Sequence, residues 1–512
     1  MPILDLTARG AGRYAPPDVR TARLAAIAVL FAGGGVSAQE PVPPPPAPPA
    51  QEPALGPEPE SPERMVGPTE GAPTMSLAAA VRLALERNFL LLDSVDALGT
   101  SRWQEKAAFG QFLPTITPLY QHSEDQTIWG VDLAQKVPWT GGTVTATGRY
   151  LSQPTTLDNP LPKTTDLRLL LTQPLLRGVG PNATFFDLTN ARRAVQGQER
   201  ALALAQQRVA VEVAAAFYNV IAERQLLEVA RQSLQRTEAL LKSSEARLEV
   251  GLASKLDVFR AELQAAQSSD AMVRSEAALA TALEHFRGLL ALPPADPVEP
   301  EAAALPVPTD DFGPVQVLVE QALQARLELQ EARDQVKDAK RAASLATQNL
   351  LPQLDVNVGV TQLGYGGSFS DAWRAGDTRA QVFLSASYPL QQSSLRANRA
   401  VAQIQVGSRE RAVRQGELDV EQQVRQAVRD LEQVRKSVEL QRQAVEVAAQ
   451  QRRLAVLRYE RGLGSNFDVV DAESSLVTAR SALVQLLTTY AVARLDLKRT
   501  TGTLDVFKEF AP

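Results

Sequence analysis

Two stretches of this chain, RLEVGLASKLDV at residues 247–258 and RYERGLGSNFDV at residues 458–469, are versions of one another at an offset of 211 residues. Each contains a glycine followed three residues later by serine, and then by an aspartate after three more. Glycine tolerates the left-handed conformation found just past a helix end, and Ser-x-x-Asp is an N-terminal capping pattern for the next helix. The two stretches therefore predict two helical hairpins related by duplication.

The duplication extends over more than these turns. Residues 76–120 align without a gap on residues 314–358 at an offset of 238, so that Leu113-Pro114 falls on Leu351-Pro352. The offset changes from 238 to 211, so the two halves differ in length by 27 residues. This difference lies between the matched blocks, in residues 121–183 or their counterparts. A repeat of this length is too long for a solenoid and indicates one fold built from two similar halves.

The segment before each turn predicts a very long helix. Residues 184–250 contain no proline and a single glycine, and apolar residues recur every seven positions. That row is Val213, Val220, Leu227, Leu234, Leu241 and Leu248, with Val209, Ala216, Glu223, Ala230 and Thr237 beside it. A strict heptad seam keeps one side of a helix against a partner helix. At 1.5 Å per residue the first helix is about 100 Å long, and helices over 254–291 and 465–501 return along it.

Between the helices the pattern changes to period two. Apolar and polar residues alternate over 354–361 and 382–388 in the second half, and over 143–150 and 167–173 in the first. Such segments are the weak signature of a membrane β-barrel, but one sheet of a soluble domain has the same pattern. Six aromatic residues flank them in a way that suits an interfacial girdle: Trp129, Trp139, Tyr150, Tyr365, Phe369 and Trp373.

Composition excludes several function classes. The chain has no cysteine and two histidines, His122 and His285, so thiolate chemistry is impossible and we expect neither a metal site nor a cofactor. A net charge of −5 argues against nucleic acid as a partner. The sequence also lacks a phosphate-binding glycine loop and a Gly-x-Ser-x-Gly nucleophile motif, which makes an enzyme the weakest hypothesis.

The N-terminal region predicts export. Arg20 and Arg23 precede a short apolar run that leads to Val36-Ser37-Ala38, the pattern of a signal peptide cleaved after Ala38. Residues 39–73 are rich in proline, which is typical of an extended tether. No later stretch reaches the roughly 18 consecutive apolar residues of a membrane helix, so any membrane-spanning part is β. A few strands cannot close a barrel, and open edges do not sit in lipid, so a barrel requires several chains.

This ordered and duplicated set resembles the TolC-like outer-membrane efflux protein family over nearly all of residues 75–505. The resemblance rests on the two repeats, on Leu-Pro before each strand region, on the strand exits Thr172-Gln173-Pro174-Leu175 and Ser387-Tyr388-Pro389-Leu390, and on the Gly-Leu turns.

The resemblance implies a mainly α fold with a β-barrel portion. Long antiparallel coiled-coil helices form a periplasmic α-barrel, and about four strands per chain join a shared trimeric β-barrel in the outer membrane. The implied function is a passive duct for a tripartite efflux pump or a type I secretion system. Its implied partners are two further copies, outer-membrane lipid, a periplasmic adaptor, and an inner-membrane pump of the RND, ABC or MFS type. A periplasmic coiled-coil scaffold without a pore is the alternative.

The resemblance also implies candidate site residues. Asp468 and Asp471 match aspartates that form acidic rings at the periplasmic entrance of the best-known member, and Tyr459 matches a tyrosine of its closing network. Gly464 stands where that member has an arginine, so the closed state here is expected to be held differently. Capping alone explains Asp468 and Asp471 equally well. The turns at Gly251-Leu252 and Gly462-Leu463 are the expected docking points of the adaptor.

The expected organisation has six parts, and one region stays open. The parts are a signal peptide (1–38), a tether (39–73), a first repeat (74–292) with strands within 113–175 and a hairpin over 184–291, a linker (293–313), a second repeat (314–505) with strands within 352–390 and a hairpin over 395–501, and a tail (506–512). Residues 121–166 either add a β-hairpin, extend the barrel strands or form an external loop.

Overall fold

The structure is a computed structural model that describes residues 73–154, 163–301, 305–306, 308 and 312–510. The predicted signal peptide and nearly all of the proline-rich segment lie outside these residues. The helices are α1 (Leu77–Arg87), α2 (Phe89–Gly110), α3 (Pro181–Thr184), α4 (Phe186–Glu249), α5 (Lys255–Leu289), α6 (Val315–Ala325), α7 (Leu327–Gln348), α8 (Phe369–Arg374), α9 (Ser393–Glu460), α10 (Asn466–Thr500) and α11 (Val506–Glu509). The strands are β1 (Thr74–Met75), β2 (Thr115–His122), β3 (Thr127–Lys136), β4 (Thr143–Ser152), β5 (Lys163–Pro174), β6 (Glu299–Pro300), β7 (Gln353–Gly366) and β8 (Asp377–Ser387).

The duplication is visible residue by residue in the helices. Helices α1 and α6 both have 11 residues, and α2 and α7 both have 22. Helices α5 and α10 both have 35. The boundaries of each pair differ by the offset that the sequence gives for that block, 238 or 211. The predicted linker contains β6, which pairs in parallel with β1, and the predicted tail contains α11.

The long helices α4 and α9 have 64 and 68 residues, close to the predicted length. Their heptad rows are the buried rows: Val209, Val213, Val220 and Leu227 in α4, and Val424, Leu431 and Val438 in α9. Helix α5 packs along α4, α10 packs along α9, and α4 contacts α10. The largest core cluster lies where α1, α4 and α5 meet, with Phe217 against Phe286 at 6.1 Å between ring centroids.

Helix α10 combines the length with the mean hydropathy of a membrane-crossing helix, the one helix among the described residues that does. It packs against α4 and α9, and a buried carboxylate, Glu473, lies on its packed face. Contact with these two helices buries part of its apolar surface.

The described strands of the two repeats form one antiparallel sheet in the order β2-β3-β4-β5-β7-β8. The pairing of β5 with β7 joins the first repeat to the second. This sheet has six strands, two more than the four per chain that the family resemblance implies for the barrel. The additional pair is β3 and β4, joined by a turn in which Trp139 and Gly141 have positive φ angles of 70° and 79°. Of the three possibilities for residues 121–166, the structure thus supports an added hairpin.

The sheet has one apolar and one mostly polar face. Residues directly opposite each other on paired strands point to the same side. The register therefore places on one face Ile116, Trp129, Val131, Leu133, Val144, Ala146, Leu167, Leu169, Leu171, Val356, Val358, Val360, Val382 and Leu384. The other face carries Asp132, Thr145, Arg149, Asp166, Arg168, Thr172, Asp355, Asn357 and Ser385. Many of the apolar side chains are exposed, and every residue of β8 is exposed.

Aromatic residues mark both ends of the apolar face. At the end away from the long helices, α8 lies over Gly364, where a side chain would collide with the Ala372 carbonyl. Phe369 of α8 contacts Tyr150 at 5.2 Å between ring centroids and stacks on Trp373. At the helical end, Trp139 packs against Phe185 at 5.1 Å. The two ends are about 23 Å apart along β4, at 3.3 Å per residue.

The predicted girdle is therefore divided. Trp129, Tyr150, Phe369 and Trp373 lie together at the far end. Trp139 lies at the helical end. Tyr365 is on the other face, because its register partner is Thr164 rather than Thr165.

A buried carboxylate joins α7 to α4. Asp334 is 8% exposed and accepts hydrogen bonds from Lys337 at 2.8 Å, Arg200 at 2.6 Å and Arg193 at 3.2 Å. Lys337 and the two guanidinium groups outweigh the cost of burial and lower the pKa of Asp334 from 3.8 to about 2. Because the folded state holds the ionised form, the cluster stabilises the fold above pH 4 and loses this effect as the pH falls from about 4 to 2.

We expect Asp334→Asn to lower the free energy of unfolding at pH 7 by about 2 kcal/mol, the equivalent of the pKa shift. The difference from the wild type should shrink as the pH falls below 4. Urea unfolding of the detergent-solubilised protein between pH 7 and pH 3 measures both effects. Asp270→Asn is the matched control, because Asp270 is 63% exposed beside Arg274. Equal losses in the two variants would contradict the assignment.

Candidate functional site

The candidate site lies at the turn end, where α4 passes into α5 and α9 passes into α10. Gly251 and Gly462 have φ angles of 76° and 72°. The next amide in each turn, of Leu252 and Leu463, donates to the carbonyl five residues earlier, at 2.7 and 2.8 Å. This is the Schellman arrangement that satisfies helix-end carbonyls and needs a residue without a Cβ. The two turns are therefore copies in structure as well as in sequence.

Both turns are followed by the predicted capping box. The Ser254 hydroxyl accepts from the Asp257 amide at 3.2 Å, and the Asp257 carboxylate accepts from the Ser254 amide at 3.1 Å. Ser465 and Asp468 form the same pair at 3.3 and 3.0 Å. Hydrogen bonds from the Ser254 hydroxyl and amide lower the pKa of Asp257. Asp257 and Asp468 therefore each cap a helix, whatever else Asp468 does.

The second turn has an acidic surface that the first turn lacks. Asp468 and Asp471 are both exposed and lie three residues apart on one side of α10. In the first repeat the equivalent positions are Asp257 and Arg260, whose charged groups are 3.9 Å apart. The charges cancel in the first repeat and add in the second. The geometry of Asp468 and Asp471 therefore favours cations near the second turn.

Tyr459 lies between the two hairpins rather than on the surface. It is 7% exposed, and its hydroxyl is 3.0 Å from the Ser244 hydroxyl of α4. Ser244 also bonds to the Leu240 carbonyl, which only a donor can do, so Tyr459 donates and Ser244 accepts. The Arg247 guanidinium stacks over the Tyr459 ring at 4.3 Å.

Two further side chains complete this contact. Arg247 donates to the carbonyls of Tyr459 and Glu460 at 2.8 and 3.1 Å, and these carbonyls belong to the last turn of α9, where helical partners run out. Asn466 is 1% exposed and donates to the Asp257 carbonyl at 2.7 Å and to Ser244 at 3.2 Å. Ser244, Arg247, Tyr459 and Asn466, here named the Tyr459 cluster, thus bind one hairpin to the other.

A second polar contact lies two turns further along α10. The Glu473 side chain is 5% exposed and meets Arg236 of α4 at 2.8 Å and Arg452 of α9 at 3.6 Å. Because a buried charge is costly unless it is paired, these salt bridges fix three helices together. The equivalent residue of the first repeat, Glu262, is exposed. The Glu473 salt bridges are therefore specific to the second repeat.

The best-known family member has an arginine at the position of Gly464. A side chain here would require a local adjustment, because an added Cβ would lie 3.1 Å from the Cβ of Arg458. A guanidinium nevertheless lies over the ring of Tyr459. It comes from Arg247 of α4, which contacts the tyrosine ring directly. That the closed state is held by a different set of residues stays a prediction.

The tips of the turns present apolar side chains to solvent. Leu252 and Leu463 are each 76% exposed, and Val250 and Phe467 beside them are 68% and 57% exposed. Exposed apolar side chains at the tip of a helical hairpin do not stabilise the fold of the chain itself. They are suited to contact with another protein.

Sequence analysis identified Tyr459, Asp468 and Asp471 but missed Ser244, Arg247, Asn466 and Glu473. One signal was available. Ser244 continues the seven-residue row that contains Ala230 and Thr237, so it was placed on the packed side of α4. The described residues contain no group of three histidine or acidic side chains able to hold a metal ion.

Comparison with known proteins gives the family. The sequence profile described as outer membrane efflux protein matches residues 143–292 and 318–503, one segment in each repeat. The outer membrane protein TolC of Escherichia coli strain K12 is 27% identical over 369 residues, which cover 64% of this chain and 71% of TolC. TolC of Salmonella enteritidis is 27% identical over 347 residues, which cover 63% of this chain and 68% of that protein.

Solved structures share the fold. The crystal structure of the outer membrane protein VceC from Vibrio cholerae superposes with a TM-score of 0.66 at 17% identity, covering 83% of this chain and 96% of VceC. The profile match spans most of the chain and includes both turns, and it confirms the predicted resemblance. The chain therefore belongs to the outer membrane efflux protein family, whose members are channels of the outer membrane with a periplasmic extension, and not enzymes.

Proposed function

We propose that three copies of this chain form one continuous duct, in which the sheets close into a shared β-barrel in the outer membrane and the helical hairpins form an α-barrel through the periplasm. The observation that carries the proposal is the sheet. Its apolar face is bare, and its outer strands β2 and β8 have no neighbour on one side among the described residues. Backbone groups at such edges must be paired in lipid, and further copies of the same sheet supply the partners.

The duct serves a tripartite efflux pump or a type I secretion system. It is passive, and the energy comes from an inner-membrane pump of the RND, ABC or MFS type. A periplasmic adaptor docks on the exposed tips at Leu252 and Leu463 and links the pump to the duct. The apolar character of these tips supports docking, since a free hairpin end would otherwise be polar.

The direct test is assembly together with conduction. Protein extracted from outer membranes should run as a heat-modifiable trimer, and it should give discrete conductance steps in planar lipid bilayers. A periplasmic scaffold would have the same helices, but it would leave the apolar face of the sheet exposed to water. A monomer that remains soluble without detergent and does not insert into vesicles would favour the scaffold and exclude the duct.

We propose that Asp468 and Asp471 of three chains surround the periplasmic entrance. Replacing both by asparagine removes up to six negative charges while the amide oxygen at position 468 still caps α10. We expect the preference for K⁺ over Cl⁻ to fall several-fold and block by multivalent cations to weaken about tenfold. Reversal potentials across planar bilayers measure the preference. Asp257→Asn, which alters the matching cap of the first repeat, is the control and should leave the preference for K⁺ over Cl⁻ unchanged. An unaltered preference in the double variant would show that Asp468 and Asp471 do not line the pore.

We propose that the Tyr459 cluster and the Glu473 salt bridges hold the entrance closed. Glu473→Gln leaves Arg236 and Arg452 without their shared carboxylate, so the hairpin of the second repeat should separate more easily from α4. We expect larger and longer openings in planar bilayers, with the trimer still assembled. Glu262→Gln, the same change at the exposed position of the first repeat, is the matched control. A loss of thermal stability with unchanged conductance would make the contact purely structural.

We expect the adaptor to contact the turn end. Because the chain has no cysteine, a single Leu463→Cys or Leu252→Cys gives one labelling site per chain. A benzophenone maleimide attached there should capture a periplasmic protein on illumination of intact cells, identified by mass spectrometry as an adaptor. Trp373→Cys at the opposite end of the molecule is the control. Capture of the adaptor only from Trp373→Cys would refute docking at the turns.

A further inference from the structure

The two repeats differ by one β-hairpin. β2 begins at residue 115 and β7 at residue 353, which is the offset of 238, whereas β5 and β8 end near the offset of 211. The strands between them in the first repeat, β3 and β4, span residues 127–152 and have no counterpart in the second. This hairpin accounts for the 27-residue difference between the offsets almost completely.

The added hairpin has the same two faces as the rest of the sheet. Trp129, Val131 and Leu133 of β3 continue the apolar face, directly opposite Tyr150, Gly148 and Ala146 of β4. The aromatic band is also continuous across it. Tyr120 of β2 contacts Trp129 at 4.4 Å between ring centroids, and Tyr150 contacts Phe369 at 5.2 Å. The hairpin is therefore built for the same depth in a membrane as its neighbours.

The polar face of the hairpin carries charges that would be costly in lipid. Asp132 of β3 and Arg149 of β4 form a salt bridge at 3.6 Å, and Asp166 of β5 lies directly opposite Arg149. These residues share a face with Asn357, which bonds to Thr172 and Ser385 at 2.8 and 3.0 Å across β5, β7 and β8. Charged residues on one side and bare apolar residues on the other suit a barrel wall, with the charges in the water-filled interior.

An added pair of strands preserves closure between copies. Since all neighbours in the sheet are antiparallel, its six strands leave β2 and β8 running in opposite directions. Even-numbered residues carry the apolar face on both strands, so β8 of one copy can pair with β2 of the next with the faces aligned. Pro118 lacks an N–H, which makes the ladder around β2 one hydrogen bond short but leaves the other residues able to pair.

We propose that the barrel of the duct is closed by pairing of β8 with β2 of the neighbouring copy and has eighteen strands, six from each of three chains, instead of the twelve that four strands per chain would give. This inference rests on the trimeric duct proposed above. Since barrel diameter grows roughly linearly with strand number, this barrel is about 1.5 times as wide as a twelve-stranded one. Selection of cargo by size then belongs to the helical part of the duct and not to the barrel.

Disulfide crosslinking tests which strands meet, and the cysteine-free chain gives a clean background. Leu384→Cys in β8 is combined with Ile116→Cys or Tyr120→Cys in β2, which lie on the same face. Oxidation should produce covalent dimers and trimers on non-reducing gels. The alternative is a twelve-stranded barrel in which β2 and β3 fold away, and it predicts crosslinks of Leu384→Cys with Val144→Cys or Ala146→Cys in β4. Leu171→Cys with Val358→Cys, directly opposite in β5 and β7, is the within-chain control.

Assembled trimers that crosslink through β4, or that give no β8–β2 product, overturn the inference but leave the duct intact. A protein that forms neither trimers nor channels overturns the proposed function itself.

A deletion provides an independent measurement. Removing residues 117–144 puts Thr115-Ile116 in the place of Thr143-Val144, two residues of nearly the same kind, and keeps the alternation of β4. We expect electron microscopy of detergent-solubilised trimers to show a barrel about one third narrower than that of the full chain. Equal diameters in the two proteins would overturn the inference. If the deletion variant does not assemble, the crosslinks alone decide.

Discussion

The need to pair every backbone N–H and C=O group of a strand that lies in lipid governs the rest of this structure. The chain has a sheet whose apolar face is exposed and whose outer strands are open among the described residues. In water an open edge invites aggregation, and in hydrocarbon it costs several kcal/mol for each unpaired group. In the proposed trimer, the same sheet in neighbouring copies removes both problems at once. Assembly, membrane insertion and the enclosed channel are, in that proposal, consequences of one requirement.

The duplication explains the helices that the two repeats share, and several candidate functional features lie where the repeats differ. The pairs α1 and α6, α2 and α7, and α5 and α10 agree in length to the residue, and α4 and α9 differ by four residues. The departures are concentrated at the two ends. At the sheet end the first repeat has an added hairpin. At the turn end Tyr459 and Ser244 replace the apolar residues Leu248 and Ala455 of the other repeat, and Asp471 replaces Arg260. The hydrogen bond between Tyr459 and Ser244 therefore has no counterpart between the equivalent residues, whereas Arg247 and Glu473 are matched by Arg458 and Glu262.

Sequence predicted the helices well and the strands less completely. Heptad rows, glycine turns and Ser-x-x-Asp caps are local signals, and they fixed α4, α5, α9 and α10 to within a few residues. In the six-stranded sheet, the first strand, β2, is short and interrupted by Pro118, and β3 mixes apolar, polar and small residues, so neither gave a clear alternation. The candidate site was predicted in part, for a related reason. Tyr459 was found through the family resemblance, but its partner Ser244 is 215 residues away in the sequence, and no local pattern reports such a contact.

The contacts at the turn end also set a condition on opening. Arg247 and Glu473 each form partly buried, charge-assisted hydrogen bonds, which contribute about 1.5 kcal/mol each at the lower end of the usual range. In the proposed trimer, two such contacts in each of three chains sum to about 9 kcal/mol, so the open state would have a population of less than about one in a million without a partner. In this proposal, binding of a partner supplies the free energy of opening. The exposed leucines at the turn tips are directly joined to α4, α5, α9 and α10, so in the proposed complex an adaptor that binds the tips acts directly on the helices whose separation would open the entrance.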